Sequence, residues 1–244
     1  MTGKKINIFG TDIDNLSDSA FLEFIKEVIV NNKKAVIGYA NADTLNKLYT
    51  DKELRQIYST FELIHPDGVG VYAASRILFG NEGLGSRLTG SDFYPILADE
   101  SIKQNWKYFF FGHSDKILSG IREKYPLLNI TGMNEGYSFS DEEVIRKINA
   151  ADPDILIIGL SCPKQERWIC ANRDKINFKV ALNVGDGIKV FAGYKVRGPE
   201  IFRKAGMEWL FRLFSDPVSN FNKYVTGIPL FIYRIFKEKL KKLK

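Results

Sequence analysis

Asp154-Ile-Leu-Ile-Ile-Gly-Leu-Ser-Cys-Pro-Lys-Gln-Glu-Arg-Trp168 is the stretch that decides the fold. Its apolar run is short and rich in β-branched residues, which reads as a strand over Asp154–Gly159. Pro163 then suits the first turn of a helix, and Glu166 sets negative charge against the positive end of the helix dipole. A helix opening after an apolar strand is the repeating unit of a parallel α/β sheet.

Working outward, Val180–Val184 forms the last strand and stops at Gly185-Asp186-Gly187. Upstream, Trp106–Phe111 and Asn129–Gly132 are strands, Ser114 opens a helix to about Lys124, and Ser140 with Glu143 makes a capping box. In the first half, Ile6–Gly10, Ala35–Tyr39 and Phe61–Ile64 are strands. Between them lie helices at Ser17–Asn31, with Phe21, Phe24, Ile25, Val28 and Ile29 on one face, and at Thr44–Tyr58. The expected class is α/β: a Rossmann-like, largely parallel sheet flanked by helices. There is no internal repeat and no low-complexity segment.

The charge is unevenly placed. The chain of 244 residues carries a net +6, yet from Tyr194 onward 12 Lys/Arg face 4 Asp/Glu, and the preceding 193 residues are slightly acidic. The basic character belongs to the C-terminal tail rather than the body. Cys162 and Cys170 have no partners at metal-ligand spacing, which argues for a reduced, cytosolic chain with neither disulfide framework nor zinc site. No signal-peptide core opens the chain, and no apolar run approaches the roughly 20 residues needed to span a bilayer. The expectation is a soluble or peripheral protein.

Ligands of parallel α/β sheets collect beyond the carboxyl ends of strands. Asn41, Asp67, Gly112–Ser114, Ser161–Glu166 and Gly185–Gly187 all fall at such ends. Asp67, between Pro66 and Gly68, is either a general base or the cap of a helix starting near Val69. Lys164 and Gln165 open a helix, where free N–H groups suit an anion or sugar, and the same residues equally suit an ordinary helix start. Gly68-Val-Gly-Val-Tyr-Ala73 fits a dinucleotide turn, but the acidic residue expected about 20 positions on is poorly met by Asp92. His65 and His113, the only histidines, are assigned no catalytic part.

In the tail, Phe211, Phe214, Phe221, Tyr224, Leu230, Phe231, Tyr233 and Phe236 alternate with Arg212, Lys223, Arg234, Lys237 and the closing lysines. Such interleaving suits an interfacial helix on anionic lipid; the plainer reading is a packed helix with a solvated lysine end. No motif supports nucleic-acid binding. The expected division is a catalytic core over 1–194 and a helical appendage over 195–244, joined near Lys195–Pro199.

Together these residues resemble the WecG/TagA/CpsF glycosyltransferases, glycosyltransferase family 26. The likeness runs from about Ile6 to Pro217. It includes Phe9-Gly-Thr-Asp-Ile-Asp14, Asn41-Ala-Asp43, Pro66-Asp-Gly68, Arg87-Leu-Thr-Gly-Ser-Asp92, Pro163-Lys-Gln-Glu166 and Glu208-Trp-Leu-Phe-Arg-Leu213. Gly136-Tyr137 and Ala192-Gly193 fall in the same order.

The resemblance implies a GT-E-like core and inverting, metal-independent transfer of an N-acetylmannosamine-type sugar from a UDP donor. The implied acceptor is a polyprenyl-diphosphate-linked sugar at the inner face of the cell membrane. It makes Asp67 the base and places Asn41, Arg87 and Gln165 on the sugar and diphosphate. Arg212 meets the departing phosphates, with no cofactor required. Tyr39, Gly90, Lys164, Gly185 and Asp186 complete the candidate substrate contacts, and a homo-oligomer is compatible. Tyr39 stands where the family commonly has Thr, and Asn183-Val-Gly-Asp-Gly-Ile-Lys189 departs from its usual Gly-Gly-x-Phe-Asp pattern. Set against this reading are an NAD-binding oxidoreductase using Gly68–Ala73 and a non-catalytic lipid-surface module.

Overall fold

The computed structural model describes residues 4–195, 213–214 and 221–242. The chain opens with a hairpin, β1 (Lys5–Ile8) antiparallel to β2 (Thr11–Asp14). Ile6–Gly10 was expected as one strand. Phe9 and Gly10 instead both take positive φ and turn the chain back. The hairpin is tied to the body through Asp14, whose Oδ2 accepts from the Ile64 amide at 2.8 Å.

Six strands follow: β3 (Ala35–Ala40), β4 (Leu63–Pro66), β5 (Tyr108–Phe111), β6 (Ile130–Asn134), β7 (Ile155–Ile158) and β8 (Val180–Asn183). They form one sheet in the order β4-β3-β8-β7-β5-β6, and every pairing is parallel. The flanking helices are α1 (Asp18–Val30), α2 (Ala42–Thr50), α3 (Lys52–Ser59), α4 (Val69–Phe79) and α5 (Gly90–Gln104). They continue with α6 (Asp115–Lys124), α7 (Asp141–Ala151), α8 (Lys164–Asn172), α9 (Ile188–Phe191) and α10 (Gly227–Lys242).

Side chains alternate across the pleat, so the sheet feeds two cores. Val36, Phe109, Phe111, Leu156, Ile158 and Ala181 pack with Leu45, Leu54, Val144 and Ile169 on one face. Ala35, Ile37, Phe110, Ile155, Val180 and Leu182 pack with Phe21, Phe93, Ile121 and Phe191 on the other. Helices on both faces explain why the inner strands β3, β5, β7 and β8 are largely apolar.

Three local readings change. The single helix expected over Thr44–Tyr58 is two, because Asp51 takes an extended conformation and its carboxylate caps α3 by accepting from the Leu54 amide at 2.9 Å. α5 was not foreseen, since it buries Gly90, Ser91, Ala98 and Ser101 beside Phe93 and Leu97 and carries Pro95, which blurs its apolar stripe. The capping box at Ser140 is only half made: Ser140 Oγ accepts from the Glu143 amide at 3.5 Å, while the Glu143 carboxylate turns to Lys147 at 2.7 Å.

Beyond residue 195, the longest described stretch runs through a π-helical turn at Asn222–Thr226 into α10, which packs on α2 and α4. Phe231 and Ile235 join the core beneath them, and Phe231 meets Phe9 edge-on. Arg234 donates to the backbone oxygen of Asn46 at 2.8 Å and lies over the Tyr49 ring. Among the described residues no helix is long and apolar enough to cross a membrane.

Candidate active site

Strand succession reverses between β3 and β8, so the loops beyond their carboxyl ends diverge and leave a crevice. A cleft of about 650 Å³ occupies it, floored by the ends of β3, β4 and β8 and by the loop after β7. Asn41, Asp67, Arg87, Gly90, Gln165, Gly185, Asp186 and Tyr39 all line it. Lys164 does not: it is exposed on the first turn of α8. Arg212 lies outside the described residues.

Asp67 leaves β4 on a turn secured twice, its amide donating to the Ala40 oxygen at 2.8 Å and the Gly68 amide to the Leu88 oxygen at 2.9 Å. Gly68 takes φ +91, open to glycine and strained for any other residue. The Asp67 side chain does not cap α4. Its Oδ1 accepts from the Gly90 amide at 3.0 Å, the first N–H of α5, so the carboxylate sits at the positive end of a different helix. No described residue bonds Oδ2. Gly90 is needed here because a Cβ would fall 2.5 Å from the Tyr94 hydroxyl oxygen.

Asn41 is the N-cap of α2: its Oδ1 accepts from the Thr44 amide at 3.0 Å, and its Nδ2 donors have no partner among the described residues. Gln165 has less to spare. Its Nε2 donates to Glu166 Oε1 at 2.9 Å and to the Asn183 oxygen at 3.1 Å, while its Oε1 accepts from the Gly185 amide at 2.9 Å. The side chain therefore clamps the turn after β8, and Gln165 belongs to the cleft mainly by shaping it. Glu166 beneath it is buried, which pushes its carboxyl above the usual range, and Tyr58 donates to it at 3.2 Å. Burial likewise pushes up the Cys162 thiol beside it.

Asp186 is exposed at the mouth and pairs with Lys189 at 2.8 Å and Lys195 at 3.5 Å. The sequence reading missed four kinds of residue here. Asn183 ends the apolar run of β8. Lys195 adds a cation to the rim, next to Lys223 of the tail. Tyr94 comes from the unforeseen α5. Last, the faces of α4 and α10 bring Val69, Ile77, Ile228, Ile232, Ile235 and Phe236 to one wall. The alternation in the tail carried the signal for that wall, because its apolar residues recur at helical spacing.

Polar strand ends, one anchored carboxylate, rim cations and an apolar wall make a cleft suited to a ligand with anionic, polar and apolar parts. The chain belongs to the WecG/TagA/CpsF family of glycosyl transferases, whose model matches residues 6–244. It is similar to the N-acetylglucosaminyldiphosphoundecaprenol N-acetyl-beta-D-mannosaminyltransferases of Staphylococcus aureus. It is 31% identical to that of strain MRSA252, over 97% of this chain and 94% of the relative. Those of strains MW2 and NCTC 8325 are 30% identical over the same shares. This membership sets aside the oxidoreductase and the non-catalytic module, and the protein is a glycosyltransferase.

Proposed function

We propose that the protein transfers an N-acetylmannosamine-type sugar from UDP to a polyprenyl-diphosphate-linked sugar, with inversion and without a metal. The observation that carries this reading is Asp67: one oxygen tethered to the Gly90 amide, the other unbonded by any described residue, inside a cleft with Arg87, Lys195 and Lys223. A tethered carboxylate keeps its direction while its second oxygen takes the proton of an acceptor hydroxyl. The hydroxyl oxygen then bonds the anomeric carbon as the bond from that carbon to the UDP oxygen breaks. Negative charge collects on the departing diphosphate, where fixed cations stabilise it most.

Arg87 is the described arginine of the site and offers bidentate hydrogen bonds to phosphate. Arg212 is proposed beside it. Asn41 is proposed to donate through Nδ2 to a sugar hydroxyl. Among the described residues no group of three His, Cys, Asp or Glu side chains is placed to hold a metal.

The acceptor's location is proposed from α10. Its outer side exposes Leu230, Tyr233 and Leu240 beside Lys237, Lys239 and Lys241, a composition suited to the anionic inner face of a membrane. The names of the relatives, which specify an undecaprenol-linked acceptor, agree. UDP release with a panel of UDP-sugars and a lipid-diphosphate-sugar acceptor tests the whole. Acceptor-dependent release that survives EDTA is the expected result, and release abolished by EDTA removes the metal-independent part.

A further inference from the structure

We infer that Asn183 reads an amide group of the sugar nucleotide from the floor of the cleft. The inference rests on the transfer reading above and adds to it a residue that discriminates between ligands.

Asn183 ends β8, one of the two central strands at the crevice, and is 1% exposed. Neither its Oδ1 nor its Nδ2 has a hydrogen-bond partner among the described residues. It nevertheless lines the cleft. A buried amide that serves the fold is bonded, since an unmade hydrogen bond carries the full desolvation cost of the group. The backbone gives the side chain little freedom to find a partner elsewhere. The Asn183 oxygen accepts from Gln165 Nε2, the Val184 amide donates to the Ile158 oxygen at 2.9 Å, and the Gly185 amide is held by Gln165 Oε1. The Gln165 clamp thus fixes the strand end on either side of an amide left unsatisfied.

The pairing chemistry selects the ligand. Asn183 presents one acceptor and one paired donor, so its complement is a group carrying one N–H and one C=O. A phosphate offers acceptors only and would leave Oδ1 unpaired. A UDP-N-acetylhexosamine has two amide-type groups: the acetamido group of the sugar, and the imide edge of the uracil ring, where N–H and C=O lie side by side. A site built to bond a polar group rejects analogues that lack it far more strongly than an apolar pocket does.

Asn183→Leu and Asn183→Asp, with wild type, are titrated calorimetrically without acceptor against UDP, UDP-glucose and UDP-N-acetylmannosamine. Reading of the base predicts that both variants weaken all three ligands by about tenfold or more. Reading of the acetamido group predicts that only the N-acetylated donor weakens by that factor. The thermal midpoint supplies a second readout. Leu matches Asn in size and removes the unpaired amide, so Asn183→Leu is expected to hold or raise the midpoint while weakening the ligand. A lowered midpoint for Asn183→Leu together with affinities unchanged within about twofold in both variants overturns the inference and leaves the transfer reading intact. Failure of the wild-type chain to bind any of the three sinks both.

Discussion

Two halves of one sheet end in similar sequences, glycines flanked by polar residues, yet one half is open and the other shut. Beyond β5 and β6, Gly112-His113-Ser114 and Glu135-Gly136-Tyr137 close on each other. The Gly136 amide donates to the His113 oxygen at 2.8 Å and the Gly112 amide to the Asn134 oxygen at 2.9 Å. Glu135 accepts from the Tyr137 and Ser138 amides at 2.7 Å each, and the Ser114 amide donates to His113 Nδ1. A Cβ on Gly136 would come within 2.6 Å of Gly112 Cα. Beyond β3, β4 and β8, side chains from the turns and from α8 add to the backbone bonds: Asn41, Asp67 and Gln165 each hold an amide of a neighbouring segment. Two of these clamps, Asn41 and Asp67, use one polar atom and leave the other unused. Backbone pairing consumes the groups a ligand would need, whereas a side-chain clamp on one atom leaves a group aimed and available.

The hardest blow to the open half is Asp67→Asn. The Asn oxygen still accepts from the Gly90 amide, so the fold and UDP affinity are expected to stand while transfer falls about 10²- to 10⁴-fold. A variant keeping more than a third of the wild-type rate of UDP release removes Asp67 from the chemistry.

Two residues before Asp67, on β4, His65 is fully buried against Phe21 and Tyr39, and burial lowers its pKa to about 4. Its folded value lies below the unfolded value of about 6.5, so between those pH values the unfolded chain holds the extra proton. Stability from this group is complete above about pH 6.5 and is lost as pH falls toward 4, by about 3 kcal/mol in all. Denaturant titrations at pH 7.5, 5.5 and 4.5 are expected to show that slope in wild type and a shallower one in His65→Leu. Equal slopes would place the acid sensitivity elsewhere. The effect is one of stability, and UDP affinity at pH 7.5 is expected to change little.

In the closed half, Gly136→Ala forces backbone apart and is expected to cost about 1–3 kcal/mol, with UDP affinity unchanged. Gln165→Leu is the counterpart in the open half. It frees the Gly185 amide and the Asn183 oxygen, two bonds of about 1 kcal/mol each, and is expected to raise the KM for the donor by about ten- to thirtyfold. A similar loss of affinity from Gly136→Ala would mean that the two halves are mechanically one.

The sheet was legible because parallel strands buried on both faces are written as short apolar runs, as at 155–158. Candidate strand ends followed from the same runs, and of these Asn41, Asp67, Gln165 and Gly185 do reach the cleft. What sequence could not separate was an open strand end from a shut one, because closure at Gly112–Ser114 depends on a contact with Gly136 across the sheet. Asn183 stood out only as the start of the departing 183–189 stretch and not as a site residue, for a related reason: nothing local says that its amide lacks a partner. α10 was legible as an amphipathic helix, but its seat on Phe9 and Tyr49 was not, since those residues lie more than 180 positions away.

The smallest predicted effect is the sharpest check on the comparison, since it concerns a histidine just outside the cleft. His113 sits at φ +61, a conformation that asparagine also tolerates, and desolvation and the nearby Lys189 lower its pKa. A neutral imidazole at a strand end is what a general base requires, so His113 is the side chain against which the choice of Asp67 is checked. The geometry of His113 opposes such a part: Nδ1 accepts from the Ser114 amide at 2.9 Å, its backbone oxygen is used by Gly136, and it does not line the cleft. His113→Asn is therefore expected to leave kcat and donor KM within about twofold and the pH–rate profile unmoved, because removing a group that takes no part in proton transfer leaves the titrating groups of that profile in place. A tenfold loss of kcat, or a lost acid limb, would show that the shut half opens during turnover, and the division between the two halves would then describe only the resting protein.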